Sequence, residues 1–340
     1  MPPSTTETGQ GLRLSVVHPD PQARAEWRQA LQSLLPAAQV REWAAAAQGS
    51  DPSASAHATG VSPMPGSAPV AHYGVGWRPP AAFFADNPDL AAFLAAGAGI
   101  DHLLALPGLP PALPIVRLED AGMADQMFRY CLHEALRRLH HEDDYRAQQR
   151  AGGWQELPAR APADLRVGIV GLGALGGAVA TRLAALGFPV SGFARGPRAL
   201  PGVRCRHGAA QWTAFRAEAD LLGLMAPLTP ETRDLIDAAA LAALPREAWL
   251  VNVARGELID DNALLAALDA GRLAGATLDV FRIEPLPAGH AFRQHPRIRL
   301  TPHVAAQTLI APGARQVTDK ILRLQQGLPI SGIVQRARGY

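Results

Sequence analysis

The chain has 340 residues, 48% hydrophobic and 18% charged, with a formal net charge of +2. That length accommodates two domains of ordinary size, and the apolar share can supply a core for each. So balanced a charge excludes a nucleic-acid binder that works by neutralising phosphates, and no uninterrupted apolar run in the sequence reaches the length of a membrane span.

The positive charge is almost entirely arginine, with Lys320 the only lysine. Cys131 and Cys205 show no metal-ligand spacing and suit a reducing compartment. The opening "MPPSTTETGQ" lacks a basic stretch followed by an apolar one, so a cytoplasmic protein is expected.

In chain order, "LRLSVV" (12–17) reads as a strand. "PQARAEWRQALQSLL" follows as a helix opened by Pro21, with Trp27, Ala30, Leu31 and Leu34 on one face. "QVREWA" reads as a second strand. Residues 48–70 are rich in Ser, Pro, Gly and Ala and cannot bury enough surface to offset chain entropy, which predicts a flexible insertion. "AHYGVGW" reads as a strand, "PDLAAFLAAG" as a helix, "GAGIDH" as a turn and "LPIVRLED" as a strand. One long helix is expected from about Met123 to Gln149, then the linker "GGWQELPARAPADL". His140 and His141 stand beside Glu142 and Asp143 on that helix. Adjacent positions face different sides, so a solvated face is expected there and no metal site.

From Leu165 onward strands and helices alternate. The strands are "RVGIVG", "PVSGFAR", "ADLLGLMA", "AWLVNVA", "AGATLDVF" and "RIRLTPH"; the helices include "ALGGAVATRLAALG", "LIDAAALAAL" and "DNALLAALDAG". This alternation predicts an α/β fold with a parallel, doubly wound sheet. A last helix, about Ala306 to Gln326, is expected to return to the N-terminal part. The organisation expected is two Rossmann-like doubly wound domains. A dinucleotide-binding domain, 118–303, is inserted in a discontinuous substrate domain, 1–117 with 304–340.

Gly171, Gly173 and Gly176 form G-x-G-x-x-G between a strand and a helix. The first permits a tight turn, the second lets backbone approach a pyrophosphate, and the third lets helix lie close on strand. Leu172, Ala174 and Leu175 complete this cofactor-binding turn, whose helix start offers free N–H groups to phosphate. The second strand of such a domain normally ends in an acid that binds the ribose 2′-OH. Here it ends "SGFARGPR". Arg195, helped by Arg198, would pair with a 2′-phosphate, so NADPH is expected in preference to NADH.

"LVNVARGELID" carries Arg255, "LDVFRIEPLP" carries Glu284 and "LTPHVAA" carries His303. Each follows an apolar strand, and ligands of open α/β sheets bind outside the carboxyl ends of strands. The "AAGAGID" turn offers Ala98 and Gly99 as an anion-binding nest.

With "GLGALG", "VNVARGELID", "LDVFRIEPLP" and "TPHVAA" in this order, the chain resembles the D-isomer-specific 2-hydroxyacid dehydrogenase family. "GAGIDHLL", "RLEDAGMADQM", "FARGPR" and "RARGY" resemble its glyoxylate/hydroxypyruvate reductase A subgroup. The resemblance implies reduction of a small 2-keto acid, glyoxylate or hydroxypyruvate, by hydride transfer. His303 would donate the proton, Glu284 would hold its ring, and Arg255 would bind the substrate carboxylate and polarise the ketone. It further implies cofactor contacts from Pro227, Thr232, Val253, Ala254 and Asp279, and substrate contacts from Ala98, Gly99 and Trp77. Trp77 and Met127 read equally well as core. A homodimer is implied, with Met127, Tyr130, Cys131, Leu132 and Leu136 suited to its contact or to ordinary core. Two other readings are a dehydrogenase for another D-2-hydroxy acid and a non-catalytic dinucleotide sensor.

Overall fold

The computed structural model describes residues 11–44 and 71–340, so the insertion expected at 48–70 lies outside the described residues. Two units are formed: the described residues up to Ala121 together with Thr308–Tyr340, and Gly122–Gln307.

The first unit is built on five parallel strands: β1 (Leu12–Val17), β2 (Gln39–Glu42), β3 (Ala71–Gly76), β4 (Leu90–Ala95) and β5 (Ile115–Arg117). Their order is β2-β1-β3-β4-β5, the doubly wound arrangement with a reversal between β1 and β3. Helix α1 (Pro21–Leu34) starts at Asp20, whose side chain accepts from Gln22 N at 3.0 Å, and Pro21 occupies the first turn. Between β3 and β4 lies α2 (Ala81–Asp86), and α3 (Asp101–Leu104) follows β4.

Leu90–Ala95 is therefore a strand and not the expected helix. The helix of this stretch lies earlier and ends at Asn87, whose side chain donates to Phe83 O at 2.7 Å, with Pro88 behind it. A short alanine-rich apolar run carries no period that separates helix from strand. Burial decides it: Phe93 on β4 lies edge-on to Phe83 and Phe84, at 5.7 and 5.4 Å.

The second unit carries seven parallel strands: β6 (Val167–Val170), β7 (Val190–Ala194), β8 (Val203–His207), β9 (Leu221–Leu224), β10 (Trp249–Asn252), β11 (Gly275–Leu278) and β12 (Ile298–Leu300). Their order is β12-β11-β10-β9-β6-β7-β8. Helices α4 (Met123–Leu139), α5 (Glu142–Ala151), α6 (Ala174–Ala185), α7 (Ala209–Ala217), α8 (Ala238–Ala242) and α9 (Asp261–Asp269) accompany them. One core, with Phe215, Leu222, Leu250 and Leu264, covers one face; another, with Met127, Cys131, Val179 and Val251, covers the other. Covering both faces is what an all-parallel sheet requires.

The single helix expected over 123–149 is broken. His141 has left-handed backbone, φ 53°, between α4 and α5. Arg137, buried at 2% exposure, bonds Glu134 at 2.5 Å and pairs with Asp143. In an unbroken helix Asp143, six residues on, would point about 120° away around the axis; the break brings it round. His141 is buried too, its ring bonded to Pro158 O at 2.9 Å, so it is no solvated face. Among the described residues no cluster of three or more His, Cys, Asp or Glu is placed to hold a metal ion, and no helix is long and apolar enough to cross a membrane.

The last helix, α10 (Ile310–Gln325), belongs to the first unit. It approaches α1 so closely that a Cβ on Gly313 would lie 2.6 Å from the Trp27 ring. Lys320 on α10 is 3% exposed; its ammonium donates to Arg117 O and Ser331 O, each at 2.9 Å, with Glu119 at 3.5 Å. Burial lowers its pKa, and these bonds tie the C-terminal tail to the end of β5.

Candidate active site

All seven strands of the second unit run parallel, so the segments leaving β6, β7, β9, β10, β11 and β12 emerge on one edge. β6 sits between β7 and β9, where the winding reverses, which is where such sheets bind ligands. The glycine turn follows β6 there. Gly171 has φ 99°, and a Cβ on it would lie 2.5 Å from Ala226 N, on the segment leaving β9. A Cβ on Gly176 would lie 1.9 Å from Gly171 O, so α6 can lie against the turn only with glycine at that place. Gly173 differs: nothing lies within 4 Å of its would-be Cβ. It is the N-cap of α6 and supplies no side-chain cap. Open space before an uncapped helix start is the cradle a dinucleotide pyrophosphate fits. Ala174 is exposed and Leu175 half-buried beside it, while Leu172 is buried against Gly192 of β7.

Arg195 and Arg198, beyond the end of β7, are both exposed. The segment after β9 is folded by Thr232, whose hydroxyl donates to Pro227 O at 2.8 Å and accepts from Thr229 N at 2.8 Å. Glu231 in this loop has its carboxyl held below the usual range by Thr229, by its own backbone N–H and by the charge of Arg195.

Beyond β10, Asn252 shapes the chain from both sides. Its side-chain oxygen accepts from Ala254 N at 3.1 Å and its amide donates to Arg255 O at 2.8 Å. Val253 and Ala254 are buried; Arg255 is half-buried and donates to Ala254 O at 2.7 Å. Gly256 then meets the segment leaving β11: a Cβ here would stand 2.1 Å from the carbonyl carbon of Phe281. The Arg255 loop and the Glu284 loop are thus backbone against backbone.

Glu284 and His303 are in direct contact. His303 Nδ1 and Glu284 Oε2 are 2.8 Å apart, and Glu284 Oε1 accepts from Phe281 N at 3.0 Å. The carboxylate is fixed at both oxygens, so Nδ1–H is the donor and Nε2 is the ring nitrogen left to face outward. The His303 side chain is 38% exposed, open enough to be reached.

The turn carrying His303 hangs on Asp279, at the end of β11. Asp279 is 1% exposed; it accepts from Thr301 Oγ1 at 2.5 Å and from Val304 N and Ala305 N, each at 2.9 Å. Its backbone carbonyl accepts from His303 N at 2.7 Å. Burial raises its carboxyl pKa, against the pull of these donors. Sequence reasoning missed this holding role, and it missed Asn252, Gly256 and Thr301. The signal lay in positions flanking the motif: a Thr two residues before the histidine, and a Gly directly after the arginine.

In the first unit, Trp77 follows β3, and Ala98 and Gly99 follow β4, both on the carboxyl edge of that sheet. Ala98 and Gly99 are half-buried. The Trp77 ring lies 4.4 Å from that of His102, and a Cβ on Gly97 would strike it at 2.4 Å.

The profile of the D-isomer specific 2-hydroxyacid dehydrogenase NAD-binding domain matches residues 131–305. Glyoxylate/hydroxypyruvate reductase A of Serratia proteamaculans (strain 568) is 39% identical over 320 residues, covering 93% of this chain and 96% of its own. A D-isomer specific 2-hydroxyacid dehydrogenase from Xanthobacter autotrophicus Py2, solved with NADPH and MES, superposes with a TM-score of 0.85 at 38% identity, covering 98% of this chain and all of its own. The NADPH-dependent glyoxylate/hydroxypyruvate reductase of Sinorhizobium meliloti, solved with NADP and sulfate, gives 0.83 at 33%, covering 96% and 99%. With the glycine turn at the winding reversal and the paired histidine on the same edge, the chain belongs to the D-isomer-specific 2-hydroxyacid dehydrogenases, a family of NAD(P)-dependent oxidoreductases.

Proposed function

We propose that the chain reduces glyoxylate or hydroxypyruvate to glycolate or glycerate, with NADPH as the preferred cofactor. The observation that carries the reading is the 2.8 Å contact between His303 Nδ1 and Glu284, on the strand edge that also holds the glycine turn. When bound, the reduced nicotinamide supplies a hydride to the ketone carbon. As negative charge develops on the ketone oxygen, His303 Nε2 gives it a proton. Glu284 holds the ring and stabilises the imidazolium form, and Arg255 binds the substrate carboxylate and polarises the ketone. Trp77, Ala98 and Gly99 complete the substrate side, so the first unit is the substrate domain and the second the dinucleotide domain.

Gly171, Leu172, Gly173, Ala174, Leu175 and Gly176 would hold the pyrophosphate, and Pro227, Thr232, Val253, Ala254 and Asp279 the rest of the cofactor. Arg195 with Arg198 would receive the 2′-phosphate; the missing acid at the end of β7 supports this, as do the NADPH and NADP bound to two relatives. A homodimer working in the cytoplasm completes the reading. Trp154 fully exposed and Leu136 at 39% support a self-contact, and both cysteines free support a reducing compartment.

The test is NADPH oxidation followed at 340 nm with a panel of 2-keto acids, repeated with NADH. Glyoxylate and hydroxypyruvate are expected to be the best substrates, with higher kcat/KM for NADPH. Reduction of none of the panel ends the reading, and a clear preference for NADH ends its cofactor part.

A further inference from the structure

We propose that Tyr130 is a positioning residue for His303, acting from α4 through Thr301 and Asp279. The proposal rests on the reading of His303 as proton donor and deepens it.

The contacts form one line. The Tyr130 hydroxyl lies 2.6 Å from Thr301 Oγ1, and Thr301 Oγ1 donates to Asp279 Oδ1 at 2.5 Å. Asp279 also accepts from Val304 N, Ala305 N and, at its carbonyl, His303 N. Counting protons fixes the direction. A carboxylate with three donors around it only accepts, so the single Thr301 proton goes to Asp279. The proton between Tyr130 and Thr301 must then come from Tyr130. Burial, with Asp279 beyond Thr301 and Glu134 and Cys131 along α4, pushes the phenol above its ordinary range, so it keeps that proton at every working pH. A hydroxyl that accepts a bond donates a stronger one. Tyr130 therefore fixes the rotamer of Thr301 and tightens its hold on Asp279.

What hangs on that hold is strained. His303 has φ 57°, left-handed backbone that an L side chain adopts only where its surroundings enforce it. Most of the enforcing groups meet at Asp279: the next two N–H groups, the Thr301 hydroxyl and the His303 N–H, which also bonds Thr301 O at 3.1 Å. A rotation of this one carboxylate moves both sides of His303, and with them the ring that must keep Nδ1 on Glu284. The half-buried tyrosine ring packs against the core, as phenylalanine's would, and its hydroxyl bonds Thr301.

The full chain is compared with Tyr130→Phe, Thr301→Val and Thr301→Ser. Steady-state reduction of hydroxypyruvate is read with NADPH binding, and the imidazole ¹⁵N resonances of His303 are assigned by their loss in His303→Gln. Tyr130→Phe is expected to lower kcat about fivefold with KM nearly unchanged and a smaller change in the NADPH Kd, since Asp279 also stands among the proposed cofactor contacts; the kcat loss equals about 1 kcal/mol of barrier, the net worth of one neutral hydrogen bond. Thr301→Val is expected to lose more, and Thr301→Ser to recover kcat to within about twofold of the unaltered chain. The His303 ¹⁵N shifts should move toward the tautomer average in the first two variants and not in the third. Wild-type kcat and an unaltered imidazole spectrum in Tyr130→Phe would overturn the proposal, as would failure of Thr301→Ser to recover. If the unaltered chain reduces no 2-keto acid, the functional reading falls, while the imidazole spectra still decide whether Tyr130 positions the ring.

Discussion

Gly256→Ala is the substitution whose effect the structure sets most narrowly. The added Cβ would lie 2.1 Å from Phe281 C, 2.3 Å from Arg282 N and 2.5 Å from Phe281 Cα. Ordinary contact begins near 3.4 Å, so the two segments must part by about 1.3 Å. Every obstructing atom is backbone, and no rotamer can absorb the clash. The 281–284 segment is anchored by Arg282, which pairs with Asp234 and Asp261 and donates to Ile259 O, so the Arg255 loop gives way. Overpacking of this kind costs about 1–3 kcal/mol of stability. A misplacement of about 1 Å between groups that must act together costs on the order of a hundredfold in rate. The assay is kcat/KM for hydroxypyruvate, with thermal unfolding and NADPH binding measured on the same protein. A loss of about a hundredfold is expected, with a lower Tm and a smaller loss of NADPH binding, because the glycine turn follows a different strand while Val253 and Ala254, proposed to touch the cofactor, lie on the displaced loop. A folded variant with unchanged kcat/KM would refute the idea that apposition of these two loops sets Arg255 against Glu284 and His303.

His303→Gln should keep NADPH binding and lose about 10²–10⁴-fold in kcat, the usual contribution of a positioned acid; stopped-flow hydride transfer checks it. Since the donor must carry the proton that it gives in one direction and lack it in the other, reductive kcat should fall with rising pH and oxidative kcat should rise; identical profiles in the two directions would rule His303 out. Arg195→Ala should raise the KM for NADPH about tenfold or more, the loss of one charge-assisted contact, and leave that for NADH nearly unchanged. Asp220 is partly buried, which alone would raise its pKa, but bonding to Arg166 at 2.6, 2.8 and 3.0 Å outweighs this and lowers it. A lowered carboxyl stabilises the fold above its unfolded pKa of about 3.9 and loses that contribution as pH falls through the lower, folded value. Asp220→Asn should therefore melt below wild type at pH 7, with the gap closing toward pH 3; a gap independent of pH would contradict the assignment.

The second unit was largely legible because buried parallel strands are written as unbroken apolar runs. Six of its seven strands stood out, though β12, Ile298–Leu300 at one edge, carries Arg299 in its middle and is only half-buried. β8 did not: Val203, Arg204, Cys205, Arg206 and His207 alternate, as befits an edge, and its arginines pair with Glu218 just past α7. α7 went unnoticed with it. The break at His141 carried no glycine or proline; it comes from a buried guanidinium and a histidine bonded to a distant carbonyl, which local sequence does not encode. In the site, Glu284 and His303 were legible as chemistry at strand ends. Asp279 and Thr301, which bond the turn carrying His303, and Tyr130, which bonds Thr301, were not. Their roles arise from hydrogen bonds between elements far apart in the chain, and Tyr130 looked like one apolar position among several on its helix.

Lys320 has one more consequence. As the single lysine, it gives a lysine-specific protease only one place to cut, and that bond is closed off by the burial of its side chain and the bonds on its ammonium. Appearance of the lone pair of fragments would thus time the opening of the C-terminal segment.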